Sequence, residues 1–136
     1  RPNHTFVGYF IGSPGMNLME VSPTENGVRF DDVEIPLSES YRHAIAQANS
    51  SNIKIGIRPE FVHIWEKAND TALKCKVMHV EDLGTYKIVT LKLGNQDIKA
   101  RLQEDQLVPK DEAFISIPEQ WTMLYVDEFL VNVGDA

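Results

Sequence analysis

Leu73-Lys74-Cys75-Lys76-Val77-Met78-His79-Val80 opens a stretch that continues through Thr85–Leu93 and Gly94-Asn95 to Gln96-Asp97-Ile98-Lys99-Ala100-Arg101-Leu102. Apolar side chains recur in it every second residue. Val89, Leu91 and Leu93 fall on one side, opposite Thr90 and Lys92, and Ile98, Ala100 and Leu102 alternate with Asp97, Lys99 and Arg101. A period of two predicts strands with one face in a core and the other in water. Gly94-Asn95 is short enough to join two of them as a hairpin, and Leu83-Gly84 separates that pair from the strand before it. Between Val77 and Met78 the apolar phase slips by one residue, which predicts a β-bulge and a bend.

The same alternation spreads outward from this stretch. Ile53, Ile55 and Ile57 alternate with Lys54, Gly56 and Arg58, while Ala113, Ile115 and Ile117 point one way until Pro118 ends the run. Asn26-Gly27 lies between Leu18–Thr24 and Val28–Leu37, and both residues tolerate positive φ, so a type I′ hairpin is expected there. Only Glu39–Asn49 has helical spacing, with Tyr41, Ala44, Ile45 and Ala48 on one face and Ser38 at the N-cap position. Eight or nine short strands and one helix predict an all-β fold, an OB-type Greek-key barrel with an additional strand layer. Residues 1–136 are expected to form a single domain.

Composition narrows the function. A content of 43% hydrophobic and 24% charged residues is that of a folded globular chain. Net charge is −7, and protonating all four histidines would raise it only to −3. That balance opposes the phosphate-driven binding of a nucleic-acid protein. A single cysteine, Cys75, excludes an internal disulfide framework and fits a reducing compartment. Its place on the apolar side of its strand, with Leu73 and Val77, predicts a small buried hydrophobe and not a reactive thiol. No apolar run approaches the roughly 18 residues of a membrane-spanning helix. The first residue is Arg1, as expected of a piece of a longer protein.

Catalytic signatures are missing. No Gly-Lys pair occurs in the 136 residues, so the phosphate-binding loop of an ATPase is absent from this chain. His4, His43, His63 and His79 lie far apart without metal-ligand spacing. The acidic pairs Asp31-Asp32, Glu81-Asp82 and Asp111-Glu112 sit beside predicted turns, where solvated charge is the simplest account. The chain is therefore expected not to be an enzyme and to hold no cofactor or metal.

Two short segments add a resemblance. Phe10-Ile11-Gly12-Ser13-Pro14, followed by Met16-Asn17, and later Gly56-Ile57-Arg58-Pro59-Glu60, resemble the C-terminal TOBE-type regulatory domain of ATP-binding subunits from ABC importers of the maltose and glycerol-phosphate type. Val80-Glu81, Leu83-Gly84 and Gly94 resemble the hairpin that follows in this family. Tyr86, where an acidic residue often stands, and Tyr125-Val126-Asp127, in place of the usual ending, depart from it. Taken alone, Gly12-Ser13-Pro14 is a turn and Pro59 a strand terminator. The resemblance makes Gly12, Ser13, Pro14, Met16, Asn17, Arg58, Pro59, Glu60, Leu83 and Gly84 expected interface or regulatory residues.

It further implies a homodimer through this region and a parent ATPase domain, absent here, that holds ATP and Mg. Contact with transmembrane permease subunits, a possible regulatory protein and a place at the cytoplasmic face of the membrane follow from it too. The alternatives are a domain sensing a solute or oxyanion near Arg58 or Lys54, and, less favoured, a free OB-fold oligonucleotide binder.

Overall fold

The computed structural model describes residues 15–133 and the backbone of residues 6–9. In chain order its strands are β1 (Phe6–Tyr9), β2 (Asn17–Pro23), β3 (Gly27–Phe30), β4 (Val33–Pro36), β5 (Ile53–Ile57), β6 (His63–Trp65), β7 (Leu73–Asp82), β8 (Tyr86–Leu93), β9 (Gln96–Gln103), β10 (Glu112–Ser116), β11 (Met123–Val126) and β12 (Phe129–Val131). Helix α1 (Glu39–Ala48) lies between β4 and β5, and short 3-10 turns occupy Pro59–Phe61 and Glu119–Trp121. The all-β class with one short helix stands. The strand number exceeds the expected eight or nine.

Two compact units emerge. One contains the described residues up to Gly56 together with those from Thr122 onward, and the other is Ile57–Trp121.

The first unit carries a sheet in the order β1-β12-β11-β5-β2-β3-β4. Its core holds Met19, Val28, Ile53, Ile55 and Leu124, each at most 1% exposed, of which Ile53 and Ile55 lie on the face that alternation marks. Helix α1 adds Ala44 and Ile45 to this core, and the Tyr41 hydroxyl donates to the Thr122 carbonyl at 2.7 Å. Ser38 stands at the N-cap with extended backbone but makes no side-chain capping bond, while Asn49 ends the helix in the left-handed region (φ 49°). Asparagine adopts that conformation at lower cost than most residues.

Two turns differ from expectation. Neither Asn26 nor Gly27 has positive φ, so the β2–β3 connection is not type I′. Instead the Gly27 N–H donates to Thr24 Oγ1 at 3.0 Å, and the Thr24 N–H to the Gly27 carbonyl at 2.9 Å. Gly27 is required for space: a Cβ there would meet the Ile35 carbonyl oxygen at 2.1 Å. The predicted strand Val28–Leu37 also breaks in two, because Asp31 turns the chain with φ 50°.

Consecutive positive φ, the mark of a type I′ turn, appears at Asp127 (52°) and Glu128 (71°) between β11 and β12. Nothing in the local composition announces this turn, and neighbouring groups hold it. The Ser50 hydroxyl donates to Asp127 Oδ1 at 2.8 Å, the Asp127 N–H to the Asn52 carbonyl at 2.9 Å, and Lys54 Nζ to the Glu128 carboxylate. A left-handed non-glycine residue costs about 1–2 kcal/mol, and a part-buried ion pair near the surface returns about 1 kcal/mol at most. Glu128→Ala is therefore expected to lower stability by about 1 kcal/mol. Glu128→Gly, which relieves the dihedral while losing the ion pair, should leave stability nearly unchanged. Urea unfolding of the two variants checks the order.

The second unit is a five-stranded antiparallel sheet in the order β6-β10-β7-β8-β9. Val89, Leu91, Leu93, Ile98, Ala100, Ala113 and Ile115 are completely buried on its inner face, as the alternation predicts. The predicted bulge is present: the β7–β8 register shifts between Val77 and His79, leaving Met78 without an opposite residue. Gly94 supplies φ 61° at the first position of the two-residue β8–β9 turn.

Cys75 is buried on this inner face, its thiol donating to the Ala113 carbonyl at 3.4 Å, and desolvation pushes its pKa up to about 11. Because the thiolate is the reactive form, a thiol reagent at pH 8 should leave the folded protein untouched. It should label one thiol per chain once denaturant is added. Stoichiometric labelling of the native protein would contradict this burial.

Candidate functional site

The residues singled out by motif fall in different places. Gly12, Ser13 and Pro14 lie outside the described residues. Met16 is half-buried in the first unit, where its sulfur accepts from the Tyr125 hydroxyl at 3.6 Å, and Asn17 is buried at the start of β2. The close approach of Met16, Leu18 and Tyr125 leaves only hydrogen-sized space above Gly56, where a Cβ would meet Tyr125 and Met16 at 3.0 and 3.1 Å. The glycine of the Gly-Ile-Arg-Pro-Glu segment is therefore a packing glycine.

Arg58, Pro59 and Glu60 open the first 3-10 turn. Arg58 caps it with extended backbone, Pro59 takes its first position, and the Phe61 N–H donates to the Arg58 carbonyl at 3.0 Å. Arg58 and Glu60 are exposed and make no ion pair with each other. Lys54, the other cation considered for an anion, is engaged by Glu128. Leu83 and Gly84 form the β7–β8 turn. Gly84 has φ 89°, its N–H donates to Asp82 Oδ1 at 2.9 Å, and the Leu83 N–H donates to the Tyr86 carbonyl.

Two surface features of the second unit are candidates for contact. The first lies beyond the bulge, where β7 has β8 on one side and has already left β10, whose pairing ends at Lys76. In this segment Met78, Val80 and Leu83 are 51%, 40% and 45% exposed.

The second is an open groove of about 770 Å³ between the β6 segment and the start of β8 with the end of β9. Trp65 stands on its β6 side with the indole N–H donating to Ser116 Oγ at 2.7 Å, and His63 meets its ring edge-on. On the far side the Arg101 guanidinium lies 4.1 Å from the Tyr86 ring centre. Arg101 stands on the wet face of its strand, as the alternation predicts. Nothing in the sequence signals that Trp65, much earlier in the chain and in a segment without alternation, belongs to the same groove.

A shallower hollow involves Lys74, Lys76 and Lys92, but Glu112 pairs with Lys74 at 3.1 Å and Asp97 stands opposite Lys92. Its charges are locally balanced. Among the described residues no group of three or more His, Cys, Asp or Glu is placed to hold a metal. No helix of the described chain is long and apolar enough to cross a membrane.

Comparison with protein families gives two matches in tandem. The MalK OB fold domain matches residues 12–62, and the TOBE domain matches residues 55–124, more than half of the chain. The chain belongs to the TOBE family. The Gly12–Asn17 segment of this TOBE chain opens the MalK OB match, and Gly56–Glu60 lies where the two matches overlap.

Curated relatives agree. This TOBE chain is 32% identical over 142 residues to the xylose/arabinose import ATP-binding protein XacK of Haloferax volcanii, covering all of the chain and 36% of that protein. It is 28% identical to the oligosaccharides import ATP-binding protein MsmX of Bacillus subtilis, covering 74% of the chain and 29% of the relative. To the sn-glycerol-3-phosphate import ATP-binding protein UgpC of Chromobacterium violaceum it is 35% identical, with 75% and 27% covered. The chain thus spans about a third of the length of these relatives. It corresponds to the C-terminal OB and TOBE region of sugar and glycerol-phosphate import ATPases.

Proposed function

We propose that the whole chain is one non-catalytic regulatory and dimerisation module of an import ATP-binding subunit serving sugar, polyol or glycerol-phosphate uptake. The tandem OB and TOBE matches across residues 12–124 carry this reading, and the functions named for the relatives support it. ATP and Mg belong to the ATPase domain of the parent protein, and the permease subunits are reached through it at the cytoplasmic face of the membrane.

The mechanism is tethering. Two ATPase domains separate to exchange nucleotide and must meet again to hydrolyse it. A module that stays paired makes the reunion intramolecular, at an effective concentration on the order of millimolar. The contact is assigned to the end of the β7–β8 hairpin, where Met78, Val80 and Leu83 put apolar side chains in water on a strand edge that has left β10. The occupant is the same segment of a second copy. Paired antiparallel about Val80, it sets His79 of each chain opposite the partner's Glu81. A regulatory protein that prefers the open arrangement would slow turnover by its differential affinity for the two states.

ATP turnover tests the tether. In a subunit carrying this module, turnover per subunit should be independent of protein concentration in the low micromolar range. The same subunit truncated ahead of the module should lose activity on dilution. Identical dilution curves would contradict tethering.

A further inference from the structure

We propose that the groove between β6 and the β8–β9 edge is a binding site for a neutral carbohydrate. Its chemistry is that of an aromatic platform beside paired planar hydrogen-bonding groups. Trp65 is 45% exposed, yet its bond to Ser116 fixes the ring, so little freedom remains to be lost on binding. An immobilised indole face suits the C–H surface of a sugar ring, and its amphipathic character tolerates the hydroxyls around it.

Opposite it, the Arg101 guanidinium carbon lies over the Tyr86 ring, 4.1 Å from its centre, and the guanidinium offers a planar fork of N–H donors. Gln103 and Glu60 line the same groove and add amide and carboxylate groups. Gln106 uses its side-chain carbonyl on the Gln103 N–H at 3.0 Å and keeps its amide N–H₂ as a donor. Neighbouring hydroxyls on a sugar match such forks two at a time.

The charge and floor argue against other ligand classes. Glu60 offsets Arg101 within the groove, and the chain as a whole carries −7, so an anionic ligand gains nothing from long-range attraction. The aliphatic lining is limited to Val62, Ile64 and Leu102. An apolar ligand would strand the polar rim unpaired. At about 770 Å³ the groove has room for a ring pair and stays open at the surface, consistent with weak, exchangeable binding.

The experiment is titration of the ¹⁵N-labelled chain with xylose, N,N′-diacetylchitobiose and, as an anionic comparison, glycerol 3-phosphate. At least one of the two sugars should shift the Trp65 indole and the Arg101 and Gln103 amides, saturating with a Kd on the order of millimolar. Trp65→Ala and Arg101→Ala should each weaken that binding by about tenfold or more while the unfolding temperature of Arg101→Ala stays at the wild-type value. If Trp65→Ala loses its fold, Arg101→Ala alone decides. No saturation by either sugar, equal affinity in Arg101→Ala, or saturation only by glycerol 3-phosphate would overturn the proposal. Sedimentation of the same samples without sugar reports dimerisation separately, so failure of one reading is distinguishable from failure of the other.

Discussion

Alanine in place of Gly27 is expected to destabilise the protein by about 3 kcal/mol, with a fall of roughly 10 °C in Tm. The reason is steric. The added Cβ would lie 2.1 Å from the Ile35 carbonyl oxygen, 2.8 Å from the Leu37 nitrogen and 2.9 Å from the Pro36 Cα. All three are backbone atoms, so no rotamer change relieves the clash, and β4 must move away from β3. Gly84 provides the contrast. It has φ 89°, and a Cβ added there would meet nothing within 4 Å. Gly84→Ala therefore carries only the dihedral cost of about 1 kcal/mol. Urea unfolding of the pair separates the two causes. A Gly27→Ala variant no less stable than Gly84→Ala would mean that β3 and β4 approach less closely than these distances require.

Aspartate at Leu83 is expected to raise the dissociation constant of the proposed dimer by about a hundredfold. The substitution removes one of three exposed apolar side chains at the hairpin end and adds a carboxylate beside Glu81 and Asp82 in a chain already at −7. Burying that charge against a second copy without a cation to meet it is costly. Leu83 is 45% exposed, so the monomer itself should unfold at an unchanged temperature. Leu107→Asp is the control: at 90% exposure it lies at no assigned contact and should leave the dimer intact. Equal effects of the two substitutions on association would remove the hairpin end from the interface.

Where side chains alternate between core and water, the fold was legible in the sequence. β5, β8, β9 and β10 follow the period of two, and the slip at Met78 became a bulge because one extra residue must be absorbed there. β11 was not legible for a related reason. Met123-Leu124-Tyr125-Val126 lies between β12 and β5, and its last three residues are buried in succession, so no polar beat marks it. The Asp127-Glu128 turn was hidden because its positive φ angles are held by Ser50, Asn52 and Lys54, far away in sequence. At Asn26-Gly27 the glycine answers to the carbonyl of Ile35 and not to a turn type.

The candidate sites divide similarly. Leu83 and Gly84 were singled out by motif, whereas their exposed apolar neighbours Met78 and Val80 become visible only when β7 outruns β10. Trp65 and Arg101 carry no shared motif, and only the folding of the second unit brings them to one groove.

Sedimentation equilibrium of the unaltered chain over a range of concentrations tests the clasp most directly. The expected result is a mass approaching twice the 15.4 kDa of one chain as concentration rises, with a single dimer equilibrium. A mass that stays at 15.4 kDa up to a concentration of about 1 mM, the effective concentration a tether would supply, would contradict it.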